Sequence, residues 1–206
     1  MANLALSWLG SSTRLLNIGQ GGSVAAAARD SLAIQVPVIQ ELHPWNCCVT
    51  RESTTATSST PIEGAEYAYR FQLRPDCLRW LPWSRGHIHY FKAEQEGEFL
   101  LSNCEGPVIV RFIRHEPDPT KWSPLLAKAV TAQLAFDLCE AIAASQSIRD
   151  RMSALFDDTL ATAKRSDALA TGDIDRPAPR YLSRAVAAMG GFGGGGCDGD
   201  PMRWHR

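Results

Sequence analysis

Ser123-Pro124-Leu125-Leu126-Ala127-Lys128-Ala129-Val130-Thr131-Ala132-Gln133-Leu134-Ala135-Phe136-Asp137-Leu138-Cys139-Glu140-Ala141-Ile142 is the stretch on which the fold turns. Leu126, Val130, Leu134, Leu138 and Ile142 recur at helical spacing, and Leu125, Ala129 and Phe136 widen the row into a broad apolar face. Ser123 ahead of Pro124 reads as an N-cap followed by a first-turn proline, whose missing N–H costs nothing there. A helix this apolar has to be covered by other helices.

Working outward, the first cover is close by. From Ser147 the residues Ile148, Met152, Leu155, Phe156, Leu160 and Ala163 form a second stripe, with Arg149, Asp150, Asp157, Asp158, Lys164 and Arg165 on the wet side. The short link Ser145-Gln146-Ser147 predicts antiparallel packing of the pair. A third helix is expected from Ser23 as N-cap, with Ala25, Ala28, Leu32, Val36, Ile39 and Leu42 facing its partners. Pro37 predicts a kink near Ala33, and Pro44 ends the helix.

Between Asn46 and Glu116 the helical period disappears and Thr, Ser, Pro and Gly clusters punctuate short apolar runs. The expected strands are His87 to Phe91, Glu98 to Leu101 and Val108 to Ile113, arranged as an antiparallel meander. The fold class that follows is α+β. Residues 1–46 and 118–172 make an antiparallel helical bundle, 47–117 an inserted small antiparallel β region, and 173–206 an extended C-terminal tail. Gly190 to Gly196 is too rich in glycine to pack by itself, so the tail is expected to be held by a neighbour.

A chain of 206 residues with 45% hydrophobic content can bury a real core. Its 21 Lys and Arg against 22 Asp and Glu leave a net charge of −1, which lacks the basic footprint of a nucleic-acid binder. The opening apolar run has no basic residue before it and is too short for a secretory core or a membrane span, so residence in the cytoplasm and no membrane partner are expected. Six cysteines without C-x-x-C spacing predict no disulfide framework.

Several constellations could carry chemistry, and each has a simpler structural explanation. Gly19-Gln20-Gly21-Gly22-Ser23 precedes a helix but has neither the preceding strand nor the lysine of a phosphate cradle. His87 and His89 alternate on one expected strand face, without zinc-type ligand spacing. Cys47 and Cys48, adjacent in an expected strand, should point to opposite faces. Cys77 or Cys104 with a histidine matches no protease signature, and Asp157-Asp158 reads as a solvated helix face. No catalytic residue, metal ligand or cofactor site is therefore assigned. Arg70, Arg74, Arg79, Arg85 and Lys92 lie among Tyr67, Tyr69, Phe71, Trp80, Trp83, Tyr90 and Phe91, a mixture suited to base stacking and equally to protein hot spots. Glu94, Glu96 and Glu98 follow directly and favour a protein interface over the alternative, a sequence-tolerant nucleic-acid-binding module.

The landmarks also occur in a suggestive order. Leu42-His43-Pro44-Trp45-Asn46 closes the Ala-rich helix, Tyr67-Ala68-Tyr69 leads to Leu73-Arg74-Pro75-Asp76-Cys77-Leu78-Arg79, and the helix pair Leu125 to Ala170 comes last. From residue 4 to 172 this order resembles the tail tubular protein A family, the ring-forming head-to-tail adaptors of short-tailed bacteriophages. The resemblance implies a structural virion protein, not an enzyme, made and assembled in the host cytoplasm. It implies a dodecameric ring between portal protein and tail nozzle protein, with the tail fibre as a further candidate partner and genomic DNA passing through the lumen without specific binding. The proline-aspartate step, Pro75-Asp76, is expected to turn the chain and seat Leu78 under the sheet. Gln72 and Arg74 make that block more polar than the family pattern, and the end with Cys197 and Trp204 is idiosyncratic. Expected interface residues are Arg74, Arg79, Trp80 and Trp83, then Tyr181, Leu182, Val186, Phe192 and Trp204 along the tail.

Overall fold

Ser123 caps its helix as the sequence predicts. In the computed structural model, which describes residues 1–57, 66–142 and 145–170, its Oγ accepts the Leu126 N–H at 3.2 Å and Pro124 opens helix α3, Pro124–Ala141. Three further helices are described: α1, Ala2–Trp8; α2, Ser23–Glu41; and α4, Gln146–Ala170. With two small antiparallel sheets they make a mixed α+β fold. The described chain divides into two compact units, one running up to Val49 and resuming at His115, the other from Thr50 to Arg114.

In the helical unit the buried positions of α3 run round its axis, with Lys128 and Glu140 left exposed. Leu126, Ala129, Val130, Thr131, Ala132, Leu134, Ala135, Leu138 and Cys139 are all inaccessible, and at about 100° per residue these positions go right round the axis. The expected single broad face is thus too narrow a description. Alanines on the remaining sides let neighbouring backbones come close. The two buried polar side chains are satisfied within the helix, Thr131 Oγ1 donating to Ala127 O at 2.7 Å and Cys139 Sγ to Ala135 O at 3.3 Å. Helices α1, α2 and α4 each pack against α3. Ala5 and Leu6, Ala25 and Ala28, Leu134 and Leu138, and Met152 share one core.

Helix α2 differs from the reading of its sequence in two ways, although it continues past Pro37 to Glu41 as expected. Its cap is Gly22, at φ 124°, and Ser23 is the first helical residue without a side-chain cap bond. Leu42, expected in the core, is 49% exposed, because the chain leaves the helix there and turns through Pro44.

A buried amide fixes the place where the chain re-enters this unit. Gln40, fully inaccessible, donates from Nε2 to Glu116 O at 2.8 Å and accepts the Glu116 N–H through Oε1 at 3.1 Å. The same Glu116 carbonyl accepts the Trp122 indole N–H at 2.9 Å, while the Trp45 indole donates to Ile39 O at 2.9 Å. Each buried polar atom in this knot has a partner, which is the condition for keeping it away from water.

The second unit holds β1, Val49–Thr54; β2, Tyr69–Gln72; β3, Cys77–Trp80; β4, Ala93–Glu96; β5, Phe99–Ser102; and β6, Val108–Arg114. The expected meander does not form. Strands β5 and β6 belong to different sheets, ordered β2-β5-β4 and β1-β6-β3, and Phe71, Leu100, Val108, Val110 and Phe112 from the two sheets meet in one core. The proposed strand His87 to Phe91 is a turn region, where His87 N–H bonds to Ser84 O, Tyr90 N–H to His87 O, and Gly86 sits at φ 94°. Gly97, at φ 56°, turns the chain between β4 and β5. Leu78 lies at an irregularity in the β3–β6 register and is half-buried. Phe71 packs against Gly106, where a Cβ would stand 2.9 Å from Phe71 Cε1.

Since three helices are organised on α3, Leu134→Ala or Leu138→Ala should each cost about 2 to 5 kcal/mol, the usual penalty for truncating a buried leucine. Thermal and denaturant melts would measure it, and unchanged midpoints in both variants would contradict this packing.

Candidate functional site

The arginine and aromatic residues singled out in the β region separate into two kinds. Arg74 lies on the turn that Cys77 N–H closes onto Arg74 O, and its guanidinium grips Asp76 at 2.9 and 3.1 Å and reaches Glu52 at 3.7 Å. That bidentate hydrogen bond, together with the charge of Asp76, holds the Arg74 pKa above its ordinary value. Half-exposed and neutralised by two carboxylates, Arg74 is a poor phosphate ligand and a plausible rim contact.

Trp83 is the centre of the other group. It is buried and donates its indole N–H to Ile109 O at 2.8 Å. The His87 ring stacks on it at 4.2 Å and 10°, the His89 ring lies 5.7 Å away, and the guanidiniums of Arg111 and Arg51 stand 4.8 and 5.7 Å from its centroid. Arginine over an indole face is favourable because the ring quadrupole is negative there. The assembly therefore uses up the face that a nucleobase would need.

Arg79 and Trp80 are half-buried on β3, paired with Ile113 and Phe112 of β6. Trp80 packs against the β core and lies 6.2 Å from the Phe91 ring. Arg79 Nε and Trp80 Nε1 are buried without a hydrogen-bond partner among the described residues. Arg70, likewise, covers Phe99 at 4.3 Å. The four candidate interface residues of this unit thus divide, with Arg74 at the surface, Arg79 and Trp80 half-buried on β3, and Trp83 buried in the β core. Tyr181, Leu182, Val186, Phe192 and Trp204 lie outside the described residues.

His87 and His89, whose rings are 5.4 Å apart, meet through a turn and not along a strand. Among the described residues no group of three or more His, Cys, Asp and Glu is placed to hold a metal, and no helix is long and apolar enough to cross a membrane. Cys47, Cys48, Cys77 and Cys139 form no disulfide, whereas Cys104 is disulfide-bonded, where the sequence predicts no disulfide framework.

Two features of the helical unit were not foreseen. The first is a row on α2, where Ile34, Val38 and Leu42 are 64%, 46% and 49% exposed at a spacing of four residues. Only its own periodicity could have disclosed it, and the buried row beside it has the same period. The second is Asp167, nearly buried on α4, which accepts the Asn46 N–H at 3.2 Å, stands 3.2 Å from His43 Nε2, and offers its own carbonyl to the Asn46 side chain at 3.0 Å. It holds the turn in which Cys47 and Cys48 sit side by side, contrary to the expected opposite faces.

No family model matches the chain, and no curated protein is similar to it.

Trp83→Ala should cost about 3 to 5 kcal/mol as a truncated core aromatic, while Arg74→Ala should leave the melting temperature unchanged. Equal and small effects from both would mean that Trp83 is a surface residue free to bind.

Proposed function

We propose that this chain is a structural adaptor of a short-tailed phage, a head-to-tail connector that forms a ring between portal and tail nozzle and leaves a channel for genome ejection. The helices on α3 are its antiparallel bundle, the β unit is an insertion that presents contact surface, and the segment after residue 172 reaches a neighbour. It works by assembly and not by catalysis. Its place is the virion neck, after assembly in the host cytoplasm.

The exposed row Ile34, Val38 and Leu42 carries this reading. Ile34 and Val38, one turn apart on α2, and Leu42 at its C-cap present the ridge that a second helix or subunit packs against. A ring subunit must offer two complementary faces to its copies, so such a ridge is what a heterologous contact requires. The ordered resemblance of Ser23 to Asn46, Tyr69 to Arg79 and Leu125 to Ala170 to the adaptor family supplies the biological context. A nucleic-acid-binding module is less well supported. Trp83 is buried under His87 and Arg74 is neutralised by Asp76 and Glu52, so the cluster that would bind bases and phosphates is already engaged.

The double substitution Ile34→Asp with Val38→Asp should leave the far-ultraviolet circular dichroism of the subunit unchanged and reduce its self-association at least tenfold in sedimentation velocity. Self-association equal to that of the native chain would remove α2 from the interface.

A further inference from the structure

We propose that Cys47 and Cys48 form a thiol–disulfide exchange site, at which the Cys47 thiolate attacks a small-molecule disulfide and Cys48 resolves the adduct. The two sulfurs are 3.7 Å apart, in a turn that Cys48 N–H and Val49 N–H close onto Trp45 O at 2.8 and 2.9 Å. Trp45 is fully buried and tied to Ile39 O, and Asp167 holds Asn46 from the other side, so the pair is presented by a fixed frame. Cys47 is half-buried and reachable by a small reagent; Cys48 is fully buried and reachable by Cys47. This division of access is what a nucleophile and a resolving thiol need.

The protonation of the two sites agrees with that geometry. The hydrogen bond from the Cys48 thiol, helped by the backbone of Ser123, lowers the Cys47 thiol to about 7 against the opposing effects of burial and the Asp167 charge. A substantial fraction is then thiolate at neutral pH, close to the optimum for attack on a disulfide. Cys77, also half-buried, is pushed up to about 11 by burial and by Asp76, and serves as an internal comparison.

The exchange balances. The Cys47 thiolate attacks one sulfur of the disulfide RSSR, forming Cys47–S–SR and expelling RS⁻. The Cys48 thiol gives its proton to solvent, its sulfur attacks Cys47 Sγ, and the second RS⁻ leaves. The two cysteines lose two electrons and RSSR gains them as two thiols. Adjacent Cα atoms stand about 3.8 Å apart, below the roughly 4.4 to 6.8 Å usual across a disulfide, so the product is strained and readily reduced again. Such a site reports redox state reversibly.

Oxidised glutathione is the probe, applied to the folded full-length chain and read by peptide mass spectrometry. The native protein should give a Cys47-Cys48 peptide two hydrogens lighter with no retained adduct, Cys48→Ser and Cys48→Ala should hold a stable glutathione adduct on Cys47, and Cys47→Ser should remain unmodified at Cys48. Reduction with excess thiol should restore the native peptide. Modification of Cys77 at an equal or faster rate, an adduct on Cys47 that persists equally in the native chain and the Cys48 variants, or an unreactive pair would each overturn the assignment.

Discussion

Burial of α3 is the constraint on which the rest depends. A helix that buries Leu126, Val130, Leu134 and Leu138 together with Ala129, Ala132 and Ala135 has too much apolar surface to stand alone, so it is stable only when α1, α2 and α4 cover it. Those three helices come from opposite ends of the described chain, and the β unit is spelled out between them. The chain must therefore leave the helical unit after Val49 and return at His115 in register with α2. Gln40 fixes that return by reading the backbone of Glu116 through both ends of its amide.

Much of this was legible because short-range signals agree with the tertiary outcome. Ser123-Pro124 is a cap in sequence and in space, and the stripe of α4 delivers Met152 and Ala163 to the core. The failures also have physical causes. The β-branched and aromatic content of His87 to Phe91 favours a strand, yet Gly86 at φ 94° and the Trp83–His87 stack turn the chain there. Strand pairing was assumed between sequence neighbours, whereas β6 pairs with β1 and β3, a long-range choice made by the shared core and invisible to local pattern. Cys47 and Cys48 were assigned to opposite faces on the premise of an extended strand; the turn at 46–48 removes the premise.

The candidate interface residues show the limit of composition as a guide to function. Arg, Trp and His close together in sequence suggested a binding surface, but Trp83 collects Arg51, Arg111, His87 and His89 around itself and consumes that surface internally. What the fold leaves uncovered is different chemistry on a different element, the row Ile34, Val38 and Leu42. An apolar ridge has no motif, since its residues are those of any core, and only the structure separates the covered row of α2 from the bare one.

The proposed closure of a ring by copies of this chain has a direct test in native mass spectrometry of the full-length chain over rising concentration. Heterologous contacts that close produce one discrete assembly of fixed stoichiometry in equilibrium with monomer. Ring closure predicts that single species, with twelve copies by the resemblance to the adaptor family. A chain that stays monomeric throughout, or an open-ended ladder of oligomers, would contradict it.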